Sequence, residues 1–573
     1  MIESNINRQI PTEEKKKLSF GDVLGMMYSI LSAERQYYFL AIIYGIGISV
    51  LSLATPITVQ MLVNTVANTG LKTPLIVLSV TLFVLLVFAS LVIALRLHLM
   101  DMFSRRFYAR MVSKIALRTI YAIDPFFDNA GKRALFNRYF DIIIVQKMLP
   151  SLVVGGFTVF LQAIVGFVVV SLYHPYFLIF NLSIILLLWL VWVIWGQRAV
   201  LSAVQLSHHK HSTAEWLEEI GSSDGFYKSE LQVATALKKT DYFTSKYIQE
   251  HIRHFRQYFS QTLCFLFIYA AGSAILLGLG GWLVMQGQLN LGQLVAAELV
   301  LSVVFYGISQ FGTYLVYFYD LCGAIDELNN FQLVDQQDSV AESSRIKGDA
   351  SLKFVNASGT FAKHKLNLNF EIPSDSRVLI KDKQYNVKQL LTTFLKGQEI
   401  PQSGFFMIGD VDAHSIPAIV LRREIMMLDQ PRVVEMTIRE YLEVQGDDLQ
   451  NDNLLDVIDI TGLESIIAQL EEGIDTRITE SGWPLSVSEI AQLKLAAAIL
   501  AQPKVLILGE MFDIVPEMVL ERSFEKIQKS SVTSIIHFSN HNWDLGYTHE
   551  LELQIDSQTL KRMNLVNNAN PSI

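Results

Sequence analysis

Six apolar runs decide what this chain can fold into. They cover about residues 38–62, 74–95, 151–173, 175–197, 259–285 and 291–319, and the only charged residue in any of them is Glu298, in the last. A helix of about 20 residues crosses the ~30 Å hydrocarbon core of a bilayer, so each run is long enough to span one. The expected first half is therefore a membrane α-helical domain of six spans. Charge placement sets its orientation. The segment 96–150 carries ten Lys and Arg and the segment 198–258 carries eight, whereas the loop 63–73 has only Lys72 and the loop 286–290 has no charge. Cytoplasmic loops hold the excess of basic residues. Both long segments and both termini are thus expected in the cytoplasm, with the lipid bilayer as first partner. Neither long segment has linker composition, so the spans are expected to continue as helices beyond the membrane. Residues 20–36 read as an amphipathic elbow helix lying on the membrane surface, or alternatively as an ordinary soluble helix. Residues 1–19 read as a polar segment, and no cleavable signal peptide is expected.

Composition separates the halves. Of the 573 residues, 51% are hydrophobic. Residues 331–573 carry 22 Lys and Arg against 35 Asp and Glu, a net of −13, and the rest carry 24 against 20. An acidic soluble half argues against nucleic acid as a partner. Cys264 and Cys322, both in or beside apolar segments, are the only cysteines, too few for a disulfide framework or a thiolate metal cluster. Residues 334–350 are polar and charged and read as a linker. The expected domains are 1–19, 20–333, the linker, 351–562 and a tail of 563–573. Glu298 is a carboxylate at membrane depth, which costs about 2.5–3.5 kcal/mol at a helix centre on insertion scales. It reads either as part of a transport pathway or as a side chain snorkelling to the interface.

The most informative stretch of the second half is 485–510, LSVSEIAQLKLAAAILAQPKVLILGE: a polar opening, an apolar helix, a break at Pro503 and a buried strand. It resembles the signature helix and Walker B strand of an ATP-binding cassette, in unbroken register. Ser486 stands at the signature serine and Glu510 at the glutamate after Walker B. Val487 and Ser488 replace the signature glycines, Glu489 the glutamine, and Gly509 the Walker B aspartate. Residues 377–397 resemble the strand, P-loop and helix unit, with Asp382 and Val387 where G-x-x-x-x-G-K-[ST] has glycine, Gln389 for the hydroxyl residue and Lys388 retained. Phe361 closes 352–361 at the place of the adenine-stacking aromatic. Gln430 stands at the Q-loop glutamine, and Ser539, flanked by His537 and His541, at the distal histidine.

The membrane half resembles the six-helix domain of ABC exporters. Residues 124–128 (Asp-Pro-Phe-Phe-Asp) and 221–227 stand where that family has its coupling helices. Residues 55–60 resemble the end of its first span, and 280–287 the fifth-span end of type I secretion exporters. The resemblance over about residues 20–560 implies an exporter half-transporter with an α/β P-loop NTPase-like cassette whose nucleotide site is degenerate. What remains of that site is Phe361, Lys388, Gln430, Ser486 and a vestigial Glu510. A P-loop turns backbone N–H groups inward in conformations that β-branched residues avoid, and its hydroxyl and the Walker B carboxylate hold Mg²⁺. Little or no ATP hydrolysis is therefore expected, with ATP and Mg²⁺ held weakly at most and no metal centre. Lys388 alternatively reads as a solvated lysine, and Phe361 as a surface or core aromatic.

The expected function is transmembrane export, or assembly of a secretion complex, at the inner membrane. The implied partners are a second copy or an intact ABC half, and a periplasmic adaptor with an outer-membrane channel. The alternatives are an ATP-driven half working with an intact partner and a non-transporting scaffold or sensor.

Overall fold

A computed structural model describes residues 20–69, 72–122, 136–223, 225–334, 336, 348–361, 364–381, 385–446, 451–541, 543–554 and 558–563. The segment 1–19, most of the linker, the tail from 564, the residues 124–128 and the loop residues 382–384 lie outside the described residues. The chain divides into two compact units, Met1–Asp335 and Gln336–Ile573.

The first unit is helical. Its helices are α1 (Phe20–Leu31), α2 (Arg35–Leu51), α3 (Ala54–Thr69), α4 (Lys72–Ile120), α5 (Phe140–Ser151), α6 (Phe157–Ser171), α7 (Pro175–Gly221), α8 (Glu230–Met285) and α9 (Leu291–Asn329). Among the described residues, six helical stretches are long and apolar enough to cross a membrane. At 1.5 Å per residue the 56 residues of α8 run about 84 Å, far more than a bilayer core. Its apolar 259–285 half continues a polar 230–258 half as one rod. Local chemistry starts these rods. Pro175 enters α7 in the first turn, where its missing N–H costs nothing. Ser229 with Gln232 and Asn290 with Gln293 close capping boxes on α8 and α9.

Two runs depart from single regular helices. The run 38–62 is α2 and α3, interrupted at Ser52 and Leu53. Pro56 explains the break: it has no N–H to return to Ser52, so it opens a new helix in its first turn. The run 151–173 begins with a π turn, Leu152–Gly156, directly after Pro150. There the Tyr314 ring lies so close to Gly155 that a Cβ would come within 2.5 Å of it. The elbow is also shorter than 20–36. It ends at Leu31, with Val23 and Ile30 fully buried and Phe20 edge-on to Trp192 at 6.1 Å.

In the second unit β1 (Leu352–Phe361), β2 (His364–Ile372), β4 (Ser403–Ile408) and β5 (Val411–Asp412) form an antiparallel sheet of order β2-β1-β4-β5. A six-stranded sheet has order β12-β11-β3-β10-β9-β6, where β3 is Arg377–Lys381, β6 Ile425–Leu428, β9 Val505–Leu508, β10 Ser534–Phe538, β11 His549–Leu553 and β12 Gln558–Arg562. All are parallel except β12. β7 (Met436–Thr437) and β8 (Arg477–Ile478) form a small ladder. All four residues of β9 are buried. Val505 and Ile507 face one core with α10 (Tyr385–Leu395), while Leu506 and Leu508 face another with α11 (Val487–Ala501) and α12 (Glu517–Ser530). Alternation along a strand buried on both faces produces this division.

β1 is irregular between Val355 and Ser358, where Asn356 has φ 48° and Gly404 of β4 has φ 71°. A Cβ on Gly404 would lie 2.2 Å from the Asn356 carbonyl oxygen. Gly404→Ala is therefore expected to destabilise this unit by roughly 1–3 kcal/mol, seen as a lower unfolding midpoint for its proteolytic release.

Candidate functional site

Parallel sheets bind ligands beyond the carboxyl ends of their strands. In the second unit this edge gathers the ends of β3, β6, β9 and β10. Four residues after Lys381 the chain is helical: α10 opens at Tyr385 and takes in Val387, which is fully buried. Lys388, in the first turn of α10, forms an ion pair with Glu510, the residue after Gly509 at the end of β9. Its Nζ also sits 4.9 Å from the centre of the Phe538 ring at the end of β10. Lys388 and Glu510 are thus brought together. Among the described residues, neither Gln430 nor Ser486 makes a hydrogen bond or ion pair with them.

The neighbouring polar groups are also engaged. Asp429, after β6, accepts Lys396 Nζ at 2.7 Å. Gln430 has an exposed side chain, and its backbone carbonyl accepts Lys494 Nζ at 2.7 Å. Burial holds the Lys494 ammonium below the usual lysine range, partly offset by Asp429. Gly509 donates its N–H to the Leu428 carbonyl at 2.9 Å, and a Cβ there would lie 3.0 Å from Asp429 Cα. The ends of β6 and β9 have closed to a distance that a side chain at 509 resists.

Ser486 is the N-cap of α11. Its backbone N–H donates to Glu489 Oε2 at 2.7 Å, and its Oγ accepts the Glu489 N–H at 3.4 Å. This capping box is written in the sequence as S-x-x-E, a signal that reading the stretch as a signature alone overlooks. Val487 is exposed. Phe361 ends β1, and its side chain lies outside the described residues. In the first unit, Glu298 Oε1 accepts Ser302 Oγ at 3.4 Å, while Oε2 is buried with no partner among the described residues.

The histidines resolve clearly. His537 is inside β10 and fully buried, and Nδ1 bonds the Tyr547 hydroxyl at 2.7 Å. Its Nε2 lies 3.7 Å from Asp513 Oδ1 without a hydrogen bond. It is a core residue of β10. After the strand, Ser539 Oγ accepts the His541 N–H at 3.0 Å. The His541 ring stacks on Trp543 at 4.6 Å.

No protein-family model matches the chain. Over 270 residues it is 26% identical to the leukotoxin translocation ATP-binding protein LktB of Mannheimia haemolytica, and equally to LktB of Bibersteinia trehalosi. That stretch is 46% of this chain and 38% of the relative, so the chain spans well under half the length of these curated relatives. A solved structure described as a bacterial Atm1-family ABC exporter with ATP bound matches with a TM-score of 0.75 at 16% identity, over 91% of this chain and 95% of that one. The chain has the ABC exporter fold. With its six apolar helices it is a multi-pass membrane protein of that fold, and the edge described above is where its sheet would meet a ligand.

Burial pushes the His537 imidazole down to about 4. An ordinary imidazole titrates near 6.5, so the unfolded chain takes up the proton first. The neutral ring contributes full stability above about pH 6.5 and loses it as pH falls toward 4, on the order of 3 kcal/mol in all. Thermal melts from pH 7 to pH 4.5 are expected to fall less steeply for His537→Gln than for the wild type.

Proposed function

We propose that this chain is an exporter half whose second unit, about residues 351–562, is an ATP-binding cassette that does not hydrolyse ATP. It would sit in the inner membrane with both termini and the cassette in the cytoplasm, act as a dimer, and serve export or the assembly of a secretion complex. The observation that carries this reading is the ion pair of Lys388 with Glu510. Phosphoryl transfer is catalysed by positioning and by electrostatic stabilisation of the phosphate oxygens. Here the one retained phosphate-type cation is neutralised by the one retained base-type carboxylate.

Three further features support the reading. The first turn of α10 occupies positions 385–387, where a phosphate cradle would turn its N–H groups inward. Gln389 and Gly509 offer no hydroxyl or carboxylate to Mg²⁺. Ser486 and Glu489 spend their polar atoms on their own helix. Losing a single stabilising donor costs roughly 10²–10³ in rate, and such losses are not additive, yet here the glycines, the hydroxyl and the Walker B carboxylate are all replaced at once. The dimeric state and the secretion partners rest on the resemblance to ABC exporters; the relative's name says only that it is an ATP-binding protein of leukotoxin translocation.

The test is Mg²⁺-dependent ATP turnover by the purified full chain in lipid nanodiscs. The expected result is a rate that Lys388→Ala and Glu510→Gln leave unchanged, with or without an intact ABC half added. Turnover abolished by both substitutions would defeat the proposal in favour of an ATP-driven half. Gly509→Asp supplies a second check. It restores a carboxylate but crowds Asp429, so it should lower the unfolding midpoint, by about 1–3 kcal/mol, without creating turnover.

A further inference from the structure

The last turn of α9 holds a cluster that does not depend on the cassette reading. Asp326 and Glu327 end this helix, and His208 faces them from α7. His208 Nε2 lies 2.6 Å from Asp326 Oδ2 and 3.8 Å from Glu327 Oε1, and one ligand atom from each residue lies within 4.8 Å of the others. Glu327 is fully buried. Its Oε2 is taken by Arg138 and by Asn330 Nδ2 at 3.2 Å, but its Oε1 accepts no hydrogen bond among the described residues.

A buried carboxylate oxygen without a donor is costly, and a structure that keeps one needs a reason for it. A proton on His208 does not supply that reason. A single Nε2–H serves a single acceptor, and Asp326 already has it. A cation at the centre reaches all three ligands at once. We propose that His208, Asp326 and Glu327 bind a divalent first-row transition metal of the zinc type, with water as its fourth ligand.

The donor chemistry fixes the class of ion. Imidazole nitrogen with carboxylate oxygen suits Zn²⁺ and its neighbours, whereas Mg²⁺ and Ca²⁺ take oxygen ligands. Ligands about 2.0–2.2 Å from a tetrahedral ion stand about 3.3–3.6 Å apart. The two contacts of His208, at 2.6 and 3.8 Å, bracket that spacing. Arg138 holds Oε2 and thereby orients Glu327, the role that outer partners play for ligating carboxylates. Binding displaces the His208 Nε2 proton to solvent. The ion would join α7 to the last turn of α9, a few residues before the chain leaves the first unit.

The experiment uses the full chain in detergent, loaded with Zn²⁺ or Co²⁺ and desalted. About one equivalent of Zn²⁺ per chain is expected, with visible Co²⁺ absorption bands that Zn²⁺ removes. His208→Ala and Glu327→Gln are each expected to weaken binding at least about tenfold. His211→Gln should leave it unchanged, because His211 bonds Asp141 instead, at 2.6 Å. Wild-type chain that takes up no Zn²⁺ and gives no Co²⁺ bands overturns the proposal, whether or not the variants fold. So does binding that persists undiminished in folded His208→Ala, or that Mg²⁺ matches.

Discussion

A parallel sheet buried on both faces is the constraint on which the second unit depends. Its inner strands must be apolar on every residue, because neither face reaches water. β9 meets this with Val505, Leu506, Ile507 and Leu508, and α10 and α11 cover the two sides. The constraint acts on the faces and stops at the strand ends. Beyond Leu508 the strand alternation no longer dictates each side chain, although contact with Asp429 still favours glycine at 509. A sequence can therefore keep the faces, and with them the fold, while the polar groups along the edge change completely.

Along this edge of the second unit the cations meet partners within the chain. In this chain Lys388 takes Glu510, Lys396 takes Asp429, and Lys494 takes the Gln430 carbonyl. None of these contacts need be strong. Lys388 is largely buried but Glu510 is 41% exposed, and such half-exposed pairs contribute at most about 1 kcal/mol. Their consequence lies in occupancy: each partner removes a group from the set that could meet an anion. At Gly509 a side chain would crowd Asp429, 3.0 Å from its Cα.

The membrane unit obeys a different solvent. None of the most apolar window of α4 is buried inside the unit, and Val77, Val80, Phe83 and Val84 are all exposed. Contiguous apolar surface of this kind is tolerated only where something other than water covers it. Hydropathy alone made these spans legible, because a bilayer reads composition over some 20 residues and ignores order within them. Order within the run is what hydropathy discards. The break before Pro56 and the π turn after Pro150 follow from single residues that lack an N–H, and no window average carries them.

The same distinction separates what was legible in the sites. Groups that act within one turn of their neighbours leave a spacing in the sequence: Ser486 with Glu489, Asn290 with Gln293, and the unbroken register from Ser486 to Glu510. Groups that meet across the fold leave none. Lys388 and Glu510 are 122 residues apart, and no spacing in the sequence announces the ion pair they form. His537 lies within two residues of the expected histidine, yet strand alternation turns it into the core, and distance along the chain cannot reveal that. His208 and Asp326 are 118 residues apart on two helices that each read as a plain membrane rod. Only the packing of α7 against α9 turns those polar residues into a cluster, and only burial turns the second oxygen of Glu327 into an unmet demand.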